Sequence, residues 1–235
     1  MGQKKLQRFA DIETFPNVLI YPEGMQGKWK EHFGNDQPIT LELACGKGDY
    51  ALGLGRMFPD RNFIGVDLKG NRIWKGAKTA LDEKLANVGF LRTQIDHLEN
   101  YFEAGEVSEI WITFPDPFLR ASKAKKRLTH PKFLAIYQKV LRPGATINLK
   151  TDSAELYHFT QAVIPAAGCT LVEDVADVYA NPHAITPVLK IQTFYEGMHL
   201  ADRRTIRYLK FTLPSQPIDW RTIQLPDEYA VEGEH

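Results

Sequence analysis

The stretch Phe114-Pro115-Asp116-Pro117-Phe118 places one acid between two prolines, directly after an apolar run. Proline lacks a backbone donor and fixes its own φ, so Asp116 belongs on a rigid loop and not at the start of a helix. Behind it come Arg120, Lys123, Lys125, Lys126, Arg127 and Lys132 with no acid between them. Lys plus Arg and Asp plus Glu both number 29, so the formal net charge is zero. Binding nucleic acid by bulk charge is thereby excluded, and this run is a local positive field suited to phosphates. A solvated loop is the plainer account of such a run, which its place beside a ligand site disfavours.

A second cluster of chemistry lies earlier. Glu42-Leu43-Ala44-Cys45-Gly46-Lys47-Gly48 ends an apolar run in glycines, which let a backbone turn sharply and approach a ligand. Gly46-x-Gly48-x-x-Ala51, with Asp67 about 20 residues on, satisfies the loose dinucleotide fingerprint. Acids at successive strand ends point elsewhere. Glu42, Asp67, Asp96 and Asp116 would ring the site with carboxylates, which repel a pyrophosphate. They suit S-adenosylmethionine, with its sulfonium, amino group and adenine amine. Taken singly, each acid could be a helix cap or a solvated residue.

The elements that must position these residues follow from pattern. Short apolar runs at 39–43, 62–66, 89–93, 109–114 and 145–150 alternate with helical stretches near 50–57, 71–85, 131–141 and 154–165. That alternation predicts βαβ units and a mostly parallel sheet covered on both faces. Runs at 170–175, 191–195 and 205–213 read as strands, with no helix between the last two and an antiparallel finish. The first 35 residues lack a clean period and are expected to pack as an extension on a single domain spanning 1–235. At 235 residues and 43% hydrophobic, roughly 70% of the unfolded surface is buried without a staple. Two cysteines, Cys45 and Cys169, are too few for a disulfide framework, and the histidines lack metal-ligand spacing. No apolar window spans a membrane and no signal peptide is visible, so a cytoplasmic protein without metal is expected.

These motifs together resemble the bacterial tRNA (guanine-N7)-methyltransferases of the TrmB type, over about residues 38–213. The strand-ending Glu42 with its glycine loop, then Asp67 and Asp96, match the family's cofactor motifs. Asp116-Pro117-Phe118, followed by Lys126-Arg127-Leu128, matches an Asp-Pro-Trp with a basic run ending Arg-Arg-Leu. Lys150-Thr151-Asp152 and Thr193-Phe194-Tyr195-Glu196 match its Lys-Thr-Asp and Thr-x-x-Glu. The chain departs at Ala44, where a glycine is common, at Phe118 for tryptophan, and at Arg120 for a substrate-contacting lysine.

The resemblance implies a Rossmann-like class I S-adenosylmethionine-dependent α/β fold and tRNA as partner. It also implies methyl transfer to guanine N7 at nucleotide 46 of the variable loop. N7 is a lone-pair acceptor without a proton, so the reaction needs alignment more than a base. Glu42, Gly46, Gly48, Asp67, Asp96 and Asp116 would hold the cofactor, and Asp116 would also act catalytically. Arg120, Asp152, Thr193 and Glu196 would hold the guanine, and Lys123, Lys125, Lys126 and Arg127 the tRNA phosphates. For Asp152 a helix cap, and for Thr193 to Glu196 an ordinary strand, are the plainer alternatives. Rival functions are a methyltransferase for a small molecule or protein, an NAD-linked oxidoreductase, and a non-catalytic RNA-binding module. The chain could act as a monomer or a homodimer.

Overall fold

A computed structural model describes residues 2–183, 185–226 and 229, with side chains from residue 6 onward. The sheet contains β1 (Val18–Ile20), β2 (Ile39–Leu43), β3 (Asn62–Asp67), β4 (Val88–Arg92), β5 (Val107–Thr113), β6 (Leu141–Thr151), β7 (Thr170–Val175) and β8 (Arg207–Thr212). The helices are α1 (Gly2–Thr14), α2 (Trp29–Phe33), α3 (Asp49–Met57), α4 (Gly70–Asp82), α5 (Pro131–Val140), α6 (Ala154–Ala166) and α7 (Phe194–Ala201). Strand order is β1-β4-β3-β2-β5-β6-β8-β7. The pairs from β1 to β6 are parallel, and β8 runs antiparallel to both β6 and β7.

Alternation along the central strands feeds two cores. Leu41, Ile64, Ile110 and Ile112 face one of them, whereas Phe63, Phe90, Trp111 and Tyr208 face the other. β2 pairs with β3 on one side and β5 on the other, so the order reverses there. A crevice outside the carboxyl ends of the strands is expected at that reversal.

Two segments depart from the sequence pattern. Residues 191–195 are not a strand; Ile191 and Gln192 lead into α7, which also supplies a helix before β8. The cause is local. Thr193 accepts from the Glu196 amide and the Glu196 carboxylate accepts from the Thr193 amide, a capping box that starts a helix where apolar alternation suggested β. The first 35 residues contribute β1, an edge strand only three residues long. They also contribute Trp29, whose buried indole donates to the Tyr101 carbonyl.

Candidate active site

The glycine loop joins β2 to α3. Gly48 caps α3 at φ 70°, and a Cβ there would lie 2.4 Å from the Phe90 ring, so both conformation and space require glycine. Ala44 adopts the left-handed region at φ 54° despite its Cβ. That conformation stores of order 1–3 kcal/mol. Phe114 (φ 49°) and Phe118 (φ 44°) do the same on the loop after β5. Three strained residues thus bracket the crevice.

Asp67 ends β3 and ties the loop down. Its Oδ2 accepts from the Gly46 amide at 2.9 Å and its Oδ1 from the Lys69 amide at 2.7 Å. Glu42 is 2% exposed and accepts from the Ala51 amide (2.8 Å) and the Thr113 hydroxyl (3.2 Å). Burial pushes its carboxyl up to about 8, only partly offset by the Ala51 amide. Asp67 therefore shapes the loop and also lines the cavity, whereas Glu42, buried behind the loop, shapes it without entering the lining.

A cavity of about 470 Å³ lies between this wall and the loop after β5, and Asp67, Asp96, Asp116 and Phe118 line it. Asp116 is exposed at its rim, and its Oδ1 accepts from the Phe118 amide at 3.1 Å. Asp96 lies in a 3-10 turn and pairs with Lys132 at 2.5 Å. Leu68, Ile95, Pro115 and Leu128 give the cavity an apolar lining on which an adenine can rest. Thr93, also in the lining, has a buried hydroxyl without a hydrogen-bond partner among the described residues. Carboxylates, apolar walls and an orphaned hydroxyl together fit S-adenosylmethionine.

The basic run divides. Lys123 and Lys126 are exposed on a 3-10 turn, Arg120 is exposed at its cap, and Lys125 and Lys126 reach the cavity. Arg127 departs from the expected phosphate grip because it is 1% exposed. Its guanidinium donates to the carbonyls of Pro117 (3.0 Å) and Phe118 (3.1 Å) and pairs with Glu155 (2.5 Å), lying over the Phe159 ring. Planar donors at fixed angles suit this clamp, which sets the Asp116 loop from beneath.

Glu196 likewise departs from the expected guanine contact. It is fully buried, and its Oε1 accepts from Lys150 Nζ at 2.7 Å and from the Tyr179 hydroxyl at 2.7 Å. Lys150, equally buried, also donates to the carbonyls of Leu189 and Ile191. Burial alone lowers the Lys150 pKa, and Glu196 opposes that shift. Thr193 is spent on the capping box. Asp152 is not a helix cap; Ser153 caps α6 instead. Asp152 accepts from Arg204 at 2.8 Å and lies 3.6 Å from His199, whose ring packs on Phe114. Asp152, Thr193 and Glu196 lie outside the lining of the 470 Å³ cavity. Sequence reasoning gave Lys150 no role of its own and did not single out Arg204 or His199. A lysine inside the apolar run Ile147-Asn148-Leu149-Lys150-Thr151 is a readable sign of a buried counter-ion.

Comparison with known proteins finds relatives over most of the chain. A family model described as "Putative methyltransferase" matches residues 36–206. A tRNA (guanine-N(7)-)-methyltransferase of Bacteroides thetaiotaomicron is 45% identical over 236 residues, covering 97% of this chain and 91% of that protein. One from Christiangramia forsetii is 46% identical and covers 91% and 100% respectively. Among solved structures, the 16S rRNA methyltransferase KamB superposes with a TM-score of 0.62 at 17% identity, over 82% of this chain and 96% of that one. A SAM-dependent methyltransferase from Aquifex aeolicus gives 0.52 at 13% identity, over 80% and 89%. These structural likenesses establish the fold.

Proposed function

The chain belongs to the tRNA (guanine-N(7)-)-methyltransferase family, and on that premise we propose how its residues perform methyl transfer and which guanine receives it. The enzyme is S-adenosylmethionine-dependent, and the cofactor, when bound, supplies an electrophilic methyl group on a sulfonium. The observation that carries the assignment is the cavity where Asp67, Asp96 and Asp116 converge at the reversal of strand order. Asp67 and Asp96 hold the cofactor's polar groups, with Glu42, Gly46 and Gly48 fixing the loop beneath them.

Asp116 stands at the rim, where cofactor and base meet. Guanine becomes cationic as N7 is methylated, and a carboxylate at that position favours the developing charge. No proton must leave N7, so positioning supplies most of the barrier lowering, roughly 7–11 kcal/mol when alignment is good. Asp152, beside His199 and Arg204, accepts from the guanine's N1 and N2 donors, while Arg120, Lys123 and Lys126 engage phosphates. The target is nucleotide 46 of the variable loop, and the reaction belongs to the cytoplasm.

The test is incubation with S-adenosylmethionine and unmodified tRNA transcripts, followed by digestion and mass spectrometry. 7-Methylguanosine mapped to nucleotide 46 is the expected product. Methylation at another guanine rejects the position, and methylation only of small molecules rejects tRNA as substrate.

A further inference from the structure

Across the glycine loop from the cofactor cavity lies a second cleft, of about 360 Å³, lined by Arg8, Gly46, Lys47, Asn71, Arg72, Lys75 and Tyr195. Four of these are cations and none is an acid. Arg72 and Lys75 are exposed and three residues apart on α4, so they share a face. Arg8 comes from α1 and lies over the Trp74 ring. Among the described residues, no carboxylate lies within ion-pair distance of Arg8, Lys47, Arg72 or Lys75. The cleft continues past Lys47 and Lys75 into a hollow bordered by Phe194 and Gln192, whose single acid, Asp49, accepts from the Phe194 amide at 2.8 Å. Phe194 and Tyr195 are 52% and 41% exposed, and Lys47 Nζ sits 3.2 Å from the Phe194 ring centre.

In a chain of zero net charge, four cations without acid partners at the carboxyl end of the sheet constitute a field that attracts polyanions. The exposed aromatic rings beside them narrow the choice. Cations that track a backbone, next to rings on which bases stack, are the combination that holds unpaired nucleotides. An acidic peptide would use the charges and leave the rings idle.

We propose that this cleft is a second RNA-binding track. It would grip phosphates on the side of the reacting guanine opposite the 120–126 loop, with Tyr195 and Phe194 as a stacking platform. The inference rests on tRNA being the substrate. It makes the RNA span the glycine loop, with cations on both banks.

The test compares the double substitution Arg72→Gln with Lys75→Gln against Lys123→Gln with Lys126→Gln, measuring affinity for unmodified tRNA over a salt series. The first pair should weaken binding about tenfold and flatten the salt dependence by roughly 1.4–1.8 in log–log slope. S-adenosylhomocysteine affinity should stay at the wild-type value, and the charge-preserving Arg72→Lys with Lys75→Arg should restore tRNA binding. Tyr195→Ala should weaken binding by about fivefold or more without moving the slope. Wild-type affinity and slope in the Arg72/Lys75 pair, with loss in the Lys123/Lys126 pair, would overturn the cleft while leaving the substrate assignment standing. Binding of polyglutamate that this pair abolishes, with tRNA affinity unmoved, would assign the cleft to acidic protein and overturn it too. Failure of the wild-type enzyme to methylate tRNA would instead remove the premise.

Discussion

The two walls of the cofactor cavity follow neighbouring strands, β2 and β5, yet they are held in different ways. On the glycine-loop side the acids are already bonded to the chain: Asp67 to two amides, Glu42 to an amide and a hydroxyl. On the opposite side Asp116 bonds a single amide and stays exposed, while the loop carrying it is clamped from beneath by Arg127. One wall commits its acids to its own chain. The other spends a buried arginine so that an acid is left open for ligand. Acids at equivalent strand ends are therefore not equivalent, and burial with its partners decides which role each takes.

The contrast between acids that build and acids that react can be broken first at Glu196. Glu196→Ala leaves Lys150 charged and buried without its carboxylate, a loss of about 3–5 kcal/mol. That corresponds to a melting temperature lower by about 6–20 °C. A melting curve unchanged from wild type would show the pair to be dispensable. Asp116→Ala should do the reverse, leaving stability within about 0.5 kcal/mol and lowering single-turnover methyl transfer about 10²–10³-fold. Near-wild-type turnover would sink its catalytic assignment.

Arg127→Gln tests whether the clamp, and not surface charge, explains that arginine. Stability should fall by about 1.5–3 kcal/mol as charged hydrogen bonds to the loop are lost. The salt dependence of tRNA affinity should not change, and a flatter slope would return Arg127 to the phosphate contacts. Smallest per pH unit is the effect of Glu42. Its folded pKa of about 8 lies above the reference 4.5, so the folded state keeps a proton that the unfolded chain releases. Its contribution is complete below pH 4.5 and declines as pH rises towards 8, by at most about 1.4 kcal/mol per pH unit. Glu42→Gln should flatten this decline in denaturant titrations across pH 5–8; an unaltered pH profile would mean that Glu42 is ionised in the fold.

The parts of the molecule legible in the sequence were those specified by short-range pattern. The run at 39–43 and the run at 170–175 became strands with those limits, and the Asp116 loop was marked by its prolines. Misreadings arose where a local signal competed with another or where the partner was remote. Ile191 to Tyr195 alternates like a strand, but Thr193 and Glu196 carry the spacing of a capping box, and the hydrogen bonds of the cap won. Arg127 looks like its lysine neighbours in the run. Only the placement of Glu155 and Phe159 on α6, some 30 residues on, turns it inward. The second basic cleft draws on four separate segments, so no window of sequence contains it.

The three-residue edge strand β1 bears on how the chain is made. Val18 pairs with Phe90, and Ile20 with Arg92, at the margin of the sheet. During synthesis at about 5–20 residues per second, β1 leaves the ribosome some 4–15 s before its partner does. Through that interval the backbone groups that pair with β4 lack that partner, while the Val18 amide can already donate to the Phe15 carbonyl. Once β4 is in place, this earlier-made strand covers an edge that would otherwise be open to another chain. A nascent chain arrested before residue 88 should therefore leave residues 18–20 open to protease, whereas one arrested after β4 has emerged should protect them.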